Sequence, residues 1–524
     1  MLAALTTTLG GLLVWVALIA PDDLTRLEPA AFVRIPVEAL VVVALLAVLP
    51  PRIADVVAVL SGGALGLLAL VKVLDLAFLA AFDRPFDPVA DWAYAGAAVE
   101  TLRGAVGGTG AVVAVAGVVT LAVAVLVLVP LSLVRVGRLA AGQRRRSLRT
   151  LTAVAAVWMI CAVLGVHVVA GVPVASAGAA GLASDKTRAW WTQLHDQRRF
   201  AAALRDDRFR SRQGDQLLTA LRGKDVLLVF VESYGRVALE DPTISPGVHA
   251  TLDAGTDGLE KAGFSSRSAW LTSPTFGGIS WLAHSTLQSG AWVDSQDRYD
   301  QLVASDRFTL SQAFKRAGWR TVGDVPSNDR YWPQGSSFYR YDHVYDRRNV
   351  GYVGPAFAYA SMPDQYVLSA FHRLELSKPA RRPVFAEIDL VSSHTPWTEL
   401  PETVPWDDVG DGSVFDSMPV QSQSKRALLR DPGAVRSAYG RSSQYSLTAL
   451  LSFVERYGDD DLVLVVLGDH QPAAVVTGPD AGHDVPVSFI ASDPAVLDRI
   501  SGWGWRDGMR PDGDTPVWRM DAFR

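Results

Sequence analysis

A single cysteine, Cys161, stands among 524 residues, so no disulfide framework holds this chain. Charge is scarce as well: Asp, Glu, Lys and Arg supply 20% of the residues, against a usual ~25%. The 49 basic and 54 acidic side chains leave a net charge of -5, without the basic surplus of a nucleic-acid binder. Disorder as the main state is excluded, because 49% of the chain is hydrophobic. The length implies roughly two to four structural units. One soluble domain of this length would not be so apolar, and the excess must have a location.

It lies at the front. Residues 1–20, 33–50, 54–82, 108–134 and 150–172 are long apolar runs, near the ~20 residues of a spanning helix. After about residue 185 no run is that long. Residues 1–172 are therefore expected to form a transmembrane domain of five helices. Arg135, Arg138, Arg144, Arg145, Arg146 and Arg149 crowd the loop between the fourth and fifth runs, without an acid. Asp22, Asp23 and Glu28 mark one neighbouring loop, and Asp83, Asp87, Asp91 and Glu100 another. The positive-inside rule then sets the N-terminus in the cytoplasm and everything after about 173 outside a plasma membrane. A signal peptide over 1–20 is the alternative, but its n-region would lack any Lys or Arg. Lys72 and Asp75, three residues apart in the third run, share a helix face and can pair. His167 falls in the fifth run as a packed or interfacial histidine. Residues 173–222 read as a linker. Its segment 188–212 mixes Trp190, Trp191, Phe200, Leu204 and Phe209 with many charges, as an amphipathic helix at the membrane surface or a surface helix on the next domain would.

Residues 223–524 have the pattern of an α/β domain with a mostly parallel central sheet. Residues 225–231 and 461–467 are continuous apolar runs, as buried strands require. Further strands are expected at 320–325, 384–391 and 486–490. Helices are expected at 308–317 and 435–457, the second closed by Gly458 at the position after its end. In such sheets ligands bind beyond the carboxyl ends of strands. Glu232 follows the first buried strand, and Gly468-Asp469-His470 follows the late one. One Glu, one Asp and one His can hold a divalent cation such as Zn²⁺ or Mn²⁺, with Mg²⁺ also open. The plain alternative is that the two acids cap helices. Between them, Gly277-Gly278 permits a tight turn, and residues 281–287 can form a helix with Ser280 at its N-terminus. The positive end of the helix dipole and a nearby metal favour an alkoxide there, so Ser280 is the candidate nucleophile and a further metal ligand. An ordinary Ser N-cap is the alternative role, and Thr275 is the competing nucleophile.

Glu232, the Gly-x-Ser ending at Ser280 and Gly468-Asp469-His470 together resemble the alkaline phosphatase/sulfatase superfamily. The resemblance is nearest to lipoteichoic acid synthase and to membrane-bound phosphoglycerol and phosphoethanolamine transferases. It covers nearly the whole chain in architecture and about 224–490 in detail. It implies an extracellular sulfatase-like catalytic domain over 223–524 and makes Glu232, Asp469 and His470 metal ligands. Ser280 stands where the synthases carry threonine. His394, in Ser392-Ser393-His394-Thr395-Pro396-Trp397, takes the place of a phosphate-binding histidine able to protonate the leaving group. His483 matches a further metal or substrate ligand of some relatives. Asn328-Asp329-Arg330-Tyr331-Trp332 resembles a glycerol-phosphate segment, with Trp332 as its tryptophan. Gln334 replaces the expected arginine, which Arg330 would have to supply. A formylglycine sulfatase is set aside, since no Cys- or Ser-x-Pro-x-Arg motif follows Glu232.

The implied activity is metal-dependent transfer of a phospholipid headgroup to a glycan, lipid or polymer of the cell envelope, through a phospho-serine. A phosphodiesterase or phosphatase with water as acceptor is the related alternative. A non-catalytic membrane sensor or scaffold is a more distant one, opposed by retention of the whole residue set. A transporter lacks an internal repeat to support it.

Overall fold

The computed structural model describes residues 2–21, 29–82, 84–87, 91–169, 172–357, 359–397, 400–418, 431–478 and 481–524. The chain divides into two compact units, 1–80 with 84–196, and 197–524 with the short piece 81–83.

Among its described residues the first unit contains α1 (Leu2–Ile19), α2 (Val37–Val48), α3 (Pro51–Phe82), α4 (Ala95–Gly142), α5 (Arg144–Val163) and the first part of a further helix, Gly178–Arg205. Three have stretches long and apolar enough to cross a membrane, Pro51–Leu79, Val106–Gly142 and Arg144–Val163, while Leu5–Ile19 and Val37–Val48 are shorter apolar helices. Val14, Leu18, Leu46, Ala58, Leu65, Val129 and Leu133 form its buried core. The arginine-rich segment expected as a loop is helical on both sides of Gln143. Arginine is a good helix former, so the helices outrun their apolar stretches. The fifth apolar run, by contrast, stops early. Gly165 turns left-handed at φ 61°, α5 ends at Val163, and His167 stands in a small strand, His167–Val169, paired with Val172–Pro173. Its expected place within a span is corrected accordingly. Lys72 Nζ donates to the carbonyls of Ala17 and Leu18 at the end of α1, 3.2 and 2.9 Å away. Asp75 accepts from Lys186 Nζ at 2.5 Å and from the Phe86 amide at 2.9 Å.

The helix α6 (Gly178–Arg205) falls in the expected linker. The second unit is built on a mixed sheet. Its strands are β1 (Asp225–Val231), β2 (Ser265–Thr272), β3 (Arg320–Asp324), β4 (His343–Tyr345), β5 (Val384–Leu390), β6 (Leu462–Gly468), β7 (Asp484–Ala491), β8 (Arg506–Asp507) and β9 (Val517–Arg519). Their spatial order is β8-β2-β7-β6-β1-β5-β3-β4, and β9 also pairs with β2. From β6 through β1, β5 and β3 to β4 every pairing is parallel, whereas β7 runs antiparallel to both β6 and β2. Every residue of β1 and β6 is buried, as two covered faces demand. Leu227, Val229 and Ile388 from the sheet meet Phe371, Leu450 and Phe453 from helices in one core.

The helices α7 (Ser245–Lys261), α8 (Ser280–Ser289), α9 (Leu310–Arg316), α10 (Asp364–Phe371) and α11 (Pro432–Tyr457) cover it. Gly458 closes α11 as expected, but in extended geometry, φ -64°. A Cβ there would stand 2.5 Å from the Val454 carbonyl and 2.8 Å from Phe264, so crowding rather than a left-handed turn calls for glycine.

Candidate active site

The parallel pairing of β1 with β6 sets Val231 beside Gly468. Glu232 and Asp469, one residue beyond each, therefore leave the sheet together. Gly468 permits that approach, since a Cβ on it would lie 1.9 Å from the Tyr234 carbonyl oxygen. Asp469 Oδ1 accepts the amides of Ser233 at 2.8 Å and His470 at 2.7 Å. Ser233 holds φ 56°, and Tyr439 Oη donates to its carbonyl at 2.8 Å. His470 Nδ1 lies 2.8 Å from the Gln471 carbonyl, which leaves Nε2 turned inward.

The turn before α8 delivers the hydroxyl. Gly277 and Gly278 have φ 70° and 152°, and Ile279, a β-branched residue, is left-handed at φ 66°. Such a residue costs on the order of 1–3 kcal/mol, a strain typical of functional turns. Ser280 begins α8 directly after it. Its Oγ donates to Glu232 Oε2 at 3.0 Å and stands 3.2 Å from His470 Nε2. His470 Nε2 lies 3.3 Å from Glu232 Oε1 and 3.4 Å from Asp469 Oδ2.

These separations fit a metal. Ligand atoms about 2.0–2.2 Å from one ion stand roughly 3.0–3.5 Å from each other. The buried Asp469 Oδ2 has no hydrogen-bond partner among the described residues, an orphan that a cation would satisfy. Burial opposes charge on Glu232, yet His470 and His394 hold its carboxyl well below the ordinary range. Burial likewise works against charged His470, but Asp469 and Glu232 lift it to about 9. The Glu, Asp, His and Ser donors suit Zn²⁺ or Mn²⁺.

The remaining predicted residues fall in different places. Thr275 is buried, and its hydroxyl donates to the Gly278 carbonyl at 2.7 Å, bracing the turn. His394 follows β5, stacks on Tyr359 with centroids 3.5 Å apart and places Nδ1 2.5 Å from its neighbour's carbonyl, Thr395 O. Burial lowers its pKa, and the nearby Glu232 carboxylate opposes that shift. Trp332 packs against Tyr339 and Tyr341, with centroids 5.2 and 6.4 Å away. The Arg330 side chain is 84% exposed, with Asp329 3.8 Å away. His483 tilts against Phe276 at 5.5 Å, and its carbonyl accepts the Ser273 amide. Among the described residues, neither Trp332, Arg330 nor His483 forms a hydrogen bond or ion pair with Glu232, Ser280, Asp469 or His470.

One group escapes the sequence reading. His284, one turn after Ser280 on α8, meets Glu387 and Asp389 of β5. The signal was present as a histidine four residues beyond the serine and a Glu-x-Asp alternation in a strand.

No family model and no curated protein matches the chain. Solved structures do. The lipoteichoic acid synthase LtaP of Listeria monocytogenes matches at 16% identity and TM-score 0.35, over 58% of this chain and 70% of that one. The phosphoglycerol transferase GacH of Streptococcus pyogenes, in complex with sn-glycerol-1-phosphate, matches at 12% identity and TM-score 0.37, over 63% of this chain and 78% of that one. The C-terminal periplasmic domain of EcEptC from Escherichia coli, in complex with Zn, matches at 16% identity and TM-score 0.36, over 54% and 76%. With overlaps this low, the chemistry has to be read from the chain's own residues.

Proposed function

We propose that this chain is a membrane-anchored, metal-dependent phosphotransferase that moves a phospholipid headgroup, of phosphoglycerol or phosphoethanolamine type, to a hydroxyl of a cell-envelope glycan, lipid or polymer. The observation that carries this reading is the position of Ser280 Oγ. It is 3.0 Å from Glu232 and 3.2 Å from His470, at the start of a helix and after a strained turn.

Glu232, Asp469, His470 and Ser280 would hold a divalent cation, which when bound lowers the pKa of a coordinated hydroxyl and draws charge from phosphoryl oxygens. Ser280 Oγ attacks phosphorus, and the bond to the diacylglycerol oxygen breaks. The serine proton ends on that oxygen. The phospho-serine carries the headgroup until an acceptor hydroxyl attacks the same phosphorus. His394, whose pKa burial lowers, is suited to take the acceptor's proton, which returns to Ser280 as the ester is cleaved. Trp332, Arg330 and His483 would contact the headgroup or acceptor as the site fills. Residues 1–172 anchor the protein with its N-terminus in the cytoplasm, 173–222 link, and 223–524 act outside.

The test is incubation of purified protein with a membrane lipid extract, then mass spectrometry of the Ser280 peptide. A headgroup-sized phosphoryl adduct is expected, and Ser280→Ala should abolish labelled transfer while the protein stays folded. Full transfer by that variant would remove Ser280 from the mechanism. Release of free headgroup whether or not an acceptor is added would make the protein a hydrolase instead.

A further inference from the structure

We propose that His284, Glu387 and Asp389 form a second divalent-cation site, deeper than the first along α8. This goes beyond the transfer reaction and stands whether or not that reading does.

The placement follows from two periodicities. His284 is four residues after Ser280, so both side chains lie on one face of α8, about 6 Å apart along its axis. Glu387 and Asp389 alternate with Ile388 on β5 and share a face of the sheet. Phe230 is in register with Asp389, and the His284 ring stacks on Phe230 at 3.9 Å and 11°. That stack fixes the imidazole plane above the two carboxylates. His284 Nδ1 is 3.2 Å from Glu387 Oε1 and 3.5 Å from Asp389 Oδ1. Those are the separations expected for atoms around one ion, roughly 3.0–3.5 Å. They lie at or beyond the long end of N–H···O hydrogen bonds, about 2.7–3.2 Å.

The surrounding bonds point the same way. Tyr341 Oη donates to Glu387 Oε2 at 2.8 Å, and Gln288 donates to that same oxygen. Its partner Oε1 is thereby turned toward His284. Outer bonds that aim one carboxylate oxygen inward are how proteins orient metal ligands. The Ser233 and His470 amides do the same for Asp469. Asp389 Oδ1 is buried and, like Asp469 Oδ2, has no hydrogen-bond partner among the described residues. One imidazolium cannot balance both Glu387 and Asp389, whose side chains are 4% and 19% exposed, and a divalent cation supplies what it lacks. The alternative is a metal-free ion cluster around protonated His284.

Metal counting separates the two. Full-length protein, stripped with chelator and dialysed against Mn²⁺ or Zn²⁺ alone, should carry two ions per chain by elemental mass spectrometry. Asp389→Asn, nearly identical in shape, should carry one, as should His284→Gln and Glu232→Gln. Asp389→Asn combined with Glu232→Gln should carry none. Circular dichroism verifies folding, and if Asp389→Asn fails to fold, His284→Gln decides. A wild type that binds one ion, or a folded variant at 284 or 389 that binds as many as wild type, overturns the second site. Two ions bound with no adduct on Ser280 would instead sink the transfer reading and leave this one standing.

Discussion

At the scale of single residues, Asp469 shows how ligation and folding can be separated. Its Oδ1 serves two backbone amides and its Oδ2 serves none. Asparagine can keep the first role, because its side-chain oxygen still accepts, but its amide nitrogen has no lone pair for a cation. Asp469→Asn should therefore leave thermal unfolding of the chelated protein nearly unchanged. Its apparent metal affinity should fall by at least the ~10–100-fold typical of losing a ligand's support. Metal titration followed by melting checks both halves, and an unchanged affinity would take Asp469 out of the coordination sphere. Glu232, Asp469 and His470 were legible in the sequence because each directly follows a fully apolar strand, where a buried sheet can only open onto a ligand. His284, Glu387 and Asp389 were not. A histidine inside an apolar helix and two acids inside a strand read as isolated polar residues until register and helix packing bring them within 3.2–3.5 Å.

At the scale of elements, the site depends on how closely β1 and β6 can part from the sheet. The glycine of Gly468-Asp469-His470 is fixed by sterics and not by chemistry, since its Cβ would meet the Tyr234 carbonyl at 1.9 Å. Neither backbone can yield without moving Glu232 or Asp469. Gly468→Ala should cost about 3 kcal/mol, at or above the usual range for overpacking a dense interior. It should also weaken metal binding although it alters no ligand. Urea unfolding with and without metal measures the two effects. A variant as stable as wild type would show that the loops relax freely. The apolar strands β1, β5 and β6 were readable from sequence almost to the residue. The strand β2 was not, because Ser265, Ser266, Arg267 and Ser268 carry no apolar signal, although it pairs with β7, β8 and β9. The end of α5 was also missed, since one left-handed residue, Gly165, outweighs a run of hydrophobic side chains.

At the scale of the whole molecule, the unit that carries the site contains no cysteine, so its stability rests on its core and on what its buried charges bind. Those charges make stability depend on pH in a definite direction. Asp469 and Asp389 are raised to about 6 and about 7, in both cases chiefly because burial disfavours the carboxylate. Stability from their protonated forms is lost as pH rises from the unfolded value near 4 through those values. His470 and His284 lie at about 9, where neighbouring carboxylates outweigh burial. Stability from their charged forms is complete below about 6.5 and lost as pH rises through 9. All four act in the same sense, so the chelated protein should melt at progressively lower temperature between pH 5.5 and 8.5. Metal works in the opposite sense, because it binds deprotonated ligands and its affinity grows with pH. The gap in melting temperature between Mn²⁺-loaded and chelated protein should therefore be small at pH 5.5 and wide at pH 8.5. Ser280→Ala should retain most of that gap, since Glu232, Asp469 and His470 remain. A gap that is constant or shrinks with pH would mean that the cation does not replace the protons of these buried groups.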